Sequence, residues 1–290
     1  MATAPDDNAT SALCVLASGS RGNCSALVTT HSSGRRDVIL FDLGLSPRRT
    51  RQTLETIGVS IDDVRAAVVT HLDSDHCNGG WAKGRGNAFP LFVHEGHLGR
   101  AERGGFLNSR AERFDEESFS VTDEVQVHAT IMSHDSLGVA AFRISLPDGA
   151  SLGYATDLGH ATQGLAEHLA GVDVLAIESN YCPYLQKTSA RPPWLKNRIM
   201  GGSGHLSNAQ SAELVRTIAP KRRIVLLHLS QECNRPEIAL RSHDTDSYEV
   251  IVSGQDEPTG WIPIEQCDKS GARPNVELPT AKQHALFGQS

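Results

Sequence analysis

The 290-residue sequence has no apolar run of the length a bilayer demands, no internal repeat and no low-complexity segment. It therefore offers no transmembrane helix. Its six cysteines (Cys14, Cys24, Cys77, Cys182, Cys233 and Cys267) form no CxxC pair and no short-spaced framework. That absence argues against a zinc ribbon and against a disulfide scaffold, and leaves the thiols free and mostly buried as small hydrophobes. Positive charge is also short: 27 Lys and Arg against 34 Asp and Glu give a formal net charge of −7. Such a balance is a poor global match to nucleic acid, whose phosphates call for clustered cations. The opening MATAPDDNATSA has neither the basic start nor the apolar segment of a secretory leader, so the cytoplasm is the expected location.

What is present is ordinary globular material, 39% hydrophobic and 21% charged, in a length that suits one large α/β domain or two average ones. Runs at 12–17, 25–30 and 37–42, separated by Gly/Ser/Asn-rich turns, predict an antiparallel meander. Ser46 and Pro47 supply an N-cap and a first-turn proline for a helix ending near Gly58. Further strands are expected at 66–70, 91–94, 125–132, 139–146 and 152–156, with a helical stretch near 96–103 and a charged linker, AERFDEES, after it. The runs at 172–179 and 222–228 are continuously apolar, as in strands covered on both faces, and a helix is expected between them near 208–219. This alternation predicts a single layered α/β domain over 12–265, between a flexible tail at 1–11 and a polar tail at 266–290.

THLDSDHCNGG, residues 70–80, follows an apolar strand and crowds His71, Asp73, Asp75 and His76 onto one turn. Without a cation, such a crowd would repel itself or stay unsatisfied. His134, Asp157 and His228 each follow a predicted strand as well. Together they supply the seven or so donors that a two-metal hydrolytic site requires.

HxDxDH, the later His134, Asp157 and His228, and Asp42 in LFDLG resemble the five motifs of the metallo-β-lactamase fold. More narrowly, ASGSRGNCSALV, SHDS, YATDLGH, ESNYC, LKNRI, GHLSN and HLSQECNRPEIA resemble the YycJ/WalJ-type branch, described as metal-dependent 5′→3′ DNA exonucleases. The resemblance implies an αββα sandwich of four layers with the metals at one rim. It implies that His71, Asp73 and His134 hold one divalent ion, that Asp75, His76 and His228 hold the other, that Asp157 bridges, and that Asp42 orients the histidines. The residues alone leave Asp42 equally readable as a strand-end turn aspartate.

Around this set, SGSRGN (18–23), with Ser20 and Asn23, either closes a hairpin or aims N–H groups at a phosphate. Ser207 and Gln210 have capping-box spacing, so a helix starts beside Asn208 with N–H groups available to an anion or simply capped. His205 would bind a phosphate oxygen or protonate a leaving group, with Asp75 as its catalytic partner among the donors. Asn180 and Glu178 end the 172–179 strand in position to line the same rim. Trp194 stacks a base or packs. The basic clusters 48–51, 196–198 and 221–223 read singly as solvated helix faces.

Asp73 stands where many dinuclear hydrolases carry histidine. Asp73, Asp75, Asp157 and one bridging hydroxide balance two dications, whereas a histidine would leave a positive charge. A third carboxylate hardens the donor set and favours Mn²⁺ or Fe²⁺ over Zn²⁺, which the site also accommodates. The leading expectation is a 5′→3′ exonuclease acting on DNA rather than RNA. A hydrolase of small esters, lactones or cyclic phosphodiesters is the alternative, and a non-catalytic regulatory protein with a degenerate site is the third.

Overall fold

Strands whose two faces are both apolar need cover on both sides, and the fold supplies it in four layers. The computed structural model describes residues 10–31, 34–84, 89–107, 110–134 and 136–267. Most of both expected tails lies outside these residues.

The first sheet takes β1 (Ser11–Ala17), β2 (Cys24–Thr30), β3 (Arg36–Phe41), β4 (Val64–Val68), β5 (Leu91–His94) and β6 (Ala111–Phe114) in that order. The second takes β7 (Ser118–Ser120), β8 (Gln126–Met132), β9 (Val139–Ser145), β10 (Ser151–Ala155), β11 (Val174–Glu178), β12 (Arg223–Leu227) and β13 (Glu249–Val252). The final strand, β14 (Ile262–Pro263), returns to pair antiparallel with β1. Each sheet begins as an antiparallel meander, as expected for β1 to β3, and then turns parallel, from β3 to β6 and from β10 to β13.

Alternate residues of one strand serve two cores. Leu13 and Val15 join Phe41, Phe142, Tyr154 and Val225 between the sheets, where Phe41 stacks on Tyr154 at 5.3 Å. Ala12, Cys14 and Leu16 face outward, into the layer closed by Leu54 of α1 (Pro47–Thr56) and Ala101 of α2 (Leu98–Gly104). The outer face of the second sheet is covered by α3 (Gln163–His168), α6 (Asn208–Ile218) and α7 (Pro236–Ser242) through Leu165, Leu214, Val215 and Ala239. Between β11 and α6 run two more short helices, α4 (Pro183–Thr188) and α5 (Pro193–Met200). Ser46 caps α1 as expected, accepting from the Arg49 N–H.

One expectation is corrected. AERFDEES is not a plain linker: it carries β6 and part of β7, and so passes the chain from one sheet to the other. Its charges point outward while Phe114 is buried and stacks on Phe119 at 4.7 Å. All six cysteines are free; Cys14, Cys24, Cys77 and Cys233 are buried. Among the described residues no helix is long and apolar enough to cross a membrane.

Candidate metal centre

Parallel strands deliver their C-terminal ends to one rim, and the donor residues stand there. Asp42 follows β3, the HxDxDH loop follows β4, Asp157 follows β10 and His228 follows β12. Asp42, Asp157 and His228 have φ of 62°, 53° and 56°, three of the four non-glycine residues with positive φ among those described. Left-handed backbone at a non-glycine residue costs on the order of 1–3 kcal/mol and persists only where surroundings enforce it. Here it turns each side chain off its strand and into the rim. Gly44 lets the motif loop approach: a Cβ there would collide with the Asp75 carbonyl.

Asp42 is fully buried and organises two histidines. It accepts from the Thr70 N–H at 2.8 Å, from Thr70 Oγ1 at 2.9 Å and from His76 Nδ1 at 2.8 Å. The Thr70 hydroxyl gives its one proton to Asp42, so it accepts from His71 Nδ1 at 3.0 Å. His134 Nδ1 donates to the Gly204 carbonyl at 3.1 Å. In all three rings Nδ1 is engaged and the Nε2 lone pair is turned inward, the tautomer a metal ligand requires.

The inward atoms converge on Asp157. Its Oδ2 lies 3.1 Å from His76 Nε2, 3.6 Å from His71 Nε2 and 3.9 Å from His134 Nε2, and its Oδ1 lies 3.2 Å from His228 Nδ1. Asp75 Oδ2 is 3.5 Å from His228 Nε2. Donor atoms within 4.8 Å of one another form three groups among the described residues: Asp75, His76, Asp157 and His228; Asp157, Glu178, His205 and His228; and His71, Asp73 and His134. Two nitrogens test whether the set suits a cation: His71 Nε2 and His228 Nε2 are buried without a hydrogen-bond partner. A buried unpartnered imidazole nitrogen is costly, and a cation satisfies it.

Electrostatics agree with that reading. Burial, and then His76, hold His71 well below the usual imidazole range, so it stays neutral. Burial alone would lower His228, but Asp157, Asp75 and Glu178 outweigh it and lift the ring to about 10. Burial would raise Asp157, yet His228 and His76 keep it well below the usual carboxylate range. The carboxylates thus draw positive charge to the rim, which a dication supplies.

Glu178, expected at this rim, and Arg100, which no motif singled out, each hold a site residue. Glu178, fully buried at the end of β11, accepts from His205 Nδ1 at 2.6 Å through Oε1, and from the Leu158 and Leu206 N–H groups at 2.7 and 3.2 Å through Oε2. Burial opposes its ionisation, but His205 outweighs burial and lowers its pKa. An acid closing an otherwise apolar strand was the available signal, because a buried carboxylate needs partners. Arg100 of α2 donates to Asp73 Oδ1 at 2.7 Å, leaving Oδ2 toward His71 Nε2 at 3.8 Å.

A cavity of about 400 Å³ opens over this cluster, with Asp73, Asp75, His134, Asp157, His205 and His228 on its floor and Arg191, Leu195, Arg198 and Ile199 on one wall. Of the residues expected to touch substrate, Ser20 and Asn180 line it, and the Asn180 amide lies 3.0 Å from His228 Nδ1. Asn23, Ser207 and Asn208 do not. Asn23 is buried within the 18–23 turn, bonded to Gly19 and to the Asp75 carbonyl, with its amide 3.0 Å from His76 Nε2. Asn208 is buried against Ser179 and Asn234. Ser207 closes a capping box with Gln210, and the Asn208 N–H goes to the Tyr181 carbonyl. The N–H groups expected to await an anion at residues 208 and 210 are therefore already taken.

Two sheets between helices, with imidazoles and carboxylates gathered at one rim, define a metal-dependent hydrolase of the αββα class. A family model described as a beta-lactamase superfamily domain matches residues 37–229, and the chain belongs to that family. The exodeoxyribonuclease WalJ of Streptococcus pneumoniae serotype 2 is 29% identical over 231 residues, 78% of this chain and 84% of the relative. The exodeoxyribonuclease YycJ of Bacillus anthracis is 26% identical over 232 residues, 79% and 86% of the two chains. The chain thus lies on the YycJ/WalJ branch that its GHLSN and HLSQECNRPE motifs resemble. Among solved structures, the metallo-beta-lactamase fold protein YhfI from Bacillus subtilis superposes with a TM-score of 0.64 at 13% identity, over 86% of this chain and 98% of that one. Zn²⁺-bound PqqB from Methylobacterium extorquens gives 0.62 at 15% identity, over 85% and 99%.

Proposed function

We propose that this chain is a metal-dependent exonuclease that hydrolyses DNA from the 5′ end. The single observation that carries the reading is the His205–Glu178 pair beside the donor cluster, opening onto a cavity with two arginines on its wall. A phosphodiester needs a site for metals, a proton for its leaving oxygen and cations for its charge, and the cavity offers each. The named relatives are exodeoxyribonucleases, which supports DNA as the substrate. The 5′→3′ direction rests on the branch motifs.

In this reading His71, Asp73 and His134 would hold one divalent ion and Asp75, His76 and His228 the other, with the Asp157 carboxylate close to both sets. When bound, such ions would supply the chemistry of a lowered water pKa and of neutralised charge on a phosphate. The Asp73 carboxylate favours Mn²⁺ or Fe²⁺ in its half of the site. Glu178 holds the Nδ1–H of His205, which leaves Nε2 to carry a proton to the departing oxygen. Asn180 steadies His228, and Asp42 fixes the rings of His76 and, through Thr70, His71.

The test is digestion of 5′-phosphorylated DNA, labelled at either end, by protein loaded with Mn²⁺, Fe²⁺ or Zn²⁺. Stepwise release of mononucleotides from the 5′ end is expected. Brisk turnover of bis(p-nitrophenyl) phosphate with DNA left intact would instead assign the site to small esters.

A further inference from the structure

Trp194 is 66% exposed, although the short helix that carries it has an apolar face already in use. Leu195, Ile199 and Met200 of α5 pack with Tyr181, Leu185 and Cys233 beneath the helix. Trp194 is thus not a core residue left outside for want of space, and so large an apolar surface in water is unusual. Its place on the helix is informative. Arg198 lies four residues on, one turn along the same face, and Arg198 lines the cavity over the donor cluster.

Charge singles out the same face. Of the basic clusters in the sequence, Lys221, Arg222 and Arg223 are paired with Asp173, Glu265 and Glu249, and Arg49 with Asp256, while Arg48 and Arg51 do not line the cavity. Arg191, also on the cavity wall, is held by Glu232. Among the described residues Arg198 has no carboxylate partner, so a guanidinium with free donors stands between the exposed indole and the reacting centre.

We propose that Trp194 and Arg198 form a subsite for unpaired nucleotides: Arg198 takes a backbone phosphate of single-stranded DNA, and Trp194 stacks on a base about 6 Å further from the metals. The proposal rests on the nuclease reading and adds to it the state of the strand being fed into the site. Stacking suits a single strand because every unpaired base offers a π-face, whereas paired bases in a duplex are covered by their neighbours.

The test uses the full chain with EDTA, so that binding is read without cleavage, and oligothymidylate of twelve nucleotides as the probe. Oligothymidylate is expected to quench tryptophan emission, and the quenched component should be absent from Trp194→Phe, in which buried Trp81 and half-buried Trp261, bonded to the Ile57 carbonyl, supply an unchanged background. Trp194→Ala should weaken binding about 5- to 150-fold, and Trp194→Phe less, because an aromatic face remains. Arg198→Gln should lower the slope of log Kd against log salt by about 0.7. The proposal is overturned if Trp194→Ala binds as tightly as wild type with an unchanged melting temperature, or if a blunt duplex quenches Trp194 as well as the single strand does. A wild-type protein that turns over bis(p-nitrophenyl) phosphate but leaves DNA intact refutes the nuclease reading itself, and one that digests DNA while Trp194→Ala binds normally refutes only the subsite.

Discussion

Replacing Glu178 by glutamine separates proton delivery from folding, because the two carboxylate oxygens have different tasks. Oε2 accepts two backbone N–H groups, from Leu158 and Leu206, and Oε1 accepts from His205 Nδ1. In Glu178→Gln the amide oxygen stays with the backbone pair, so the amide NH₂ faces His205 Nδ1. Two donors then meet unless His205 surrenders its Nδ1 proton, and a ring that does so cannot be doubly protonated. A hydrogen bond to a charged group contributes about 1.5–3 kcal/mol, which corresponds to roughly 10- to 150-fold in rate if it acts in the transition state. Loss of general-acid catalysis altogether costs about 10²- to 10⁴-fold, so the variant should fall at or below the lower part of that range. The assay compares two substrates with metal-loaded enzyme. DNA has a poor alkoxide leaving group and should show the full loss in kcat. Bis(p-nitrophenyl) phosphate, whose leaving group needs no proton, should lose less than about 3-fold. Equal losses on both substrates, or no loss on DNA, refute the assignment of His205 and Glu178 to proton transfer.

Asp73→His should leave the fold nearly as stable, since Asp73 and Arg100 are 30% and 35% exposed and such pairs contribute about 0–1 kcal/mol. The metal preference should move from Mn²⁺ or Fe²⁺ toward Zn²⁺; elemental analysis after competitive loading reads this directly, and an unchanged ratio sinks the retuning argument. His243, buried after α7 with both ring nitrogens unpartnered, is pushed down to about 4 by burial and then by Arg216. The unfolded chain binds that proton near pH 6.5, so stability is complete above about 6.5 and declines by up to about 3 kcal/mol as pH falls toward 4. Urea melts of chelated His243→Leu should show a shallower acid loss than wild type; parallel curves refute the linkage.

The strands and the donor motif were legible because both write themselves locally. Apolar runs of five to seven residues announce β1 to β3, β11 and β12, and ligand-type residues at their ends mark the rim. What failed was whatever depends on a partner distant in sequence. Arg100 is one arginine in a polar helix, and nothing near it points to Asp73, 27 residues away. β6 reads as charged because an edge strand needs only one buried residue in four, Phe114. Asn23 and Asn208 have the composition of substrate-binding residues, yet their amides are spent on the backbone and on other asparagines. Polar residue type suggests a site, but only the fold decides whether the polar atoms are free.

Arg100 also changes the charge count around Asp73. In the proposed site Asp73, Asp75 and Asp157 with one hydroxide would balance two dications, and the guanidinium 2.7 Å from Asp73 would restore the positive charge that a histidine there would have left. The anion-attracting character of the rim would be kept, while an Asp73 facing a metal would be a harder donor than histidine. The rest of the rim carries costs that a site without a cation has no use for. Asp42, Asp157 and His228 hold left-handed backbone, at about 1–3 kcal/mol each, and two imidazole nitrogens stay buried without partners. Only glycine at these positions would relieve the backbone, and it would remove the side chain that faces the rim. Strained backbone and unpartnered nitrogens beside an Asp73 matched by Arg100 fit a rim built around a cation.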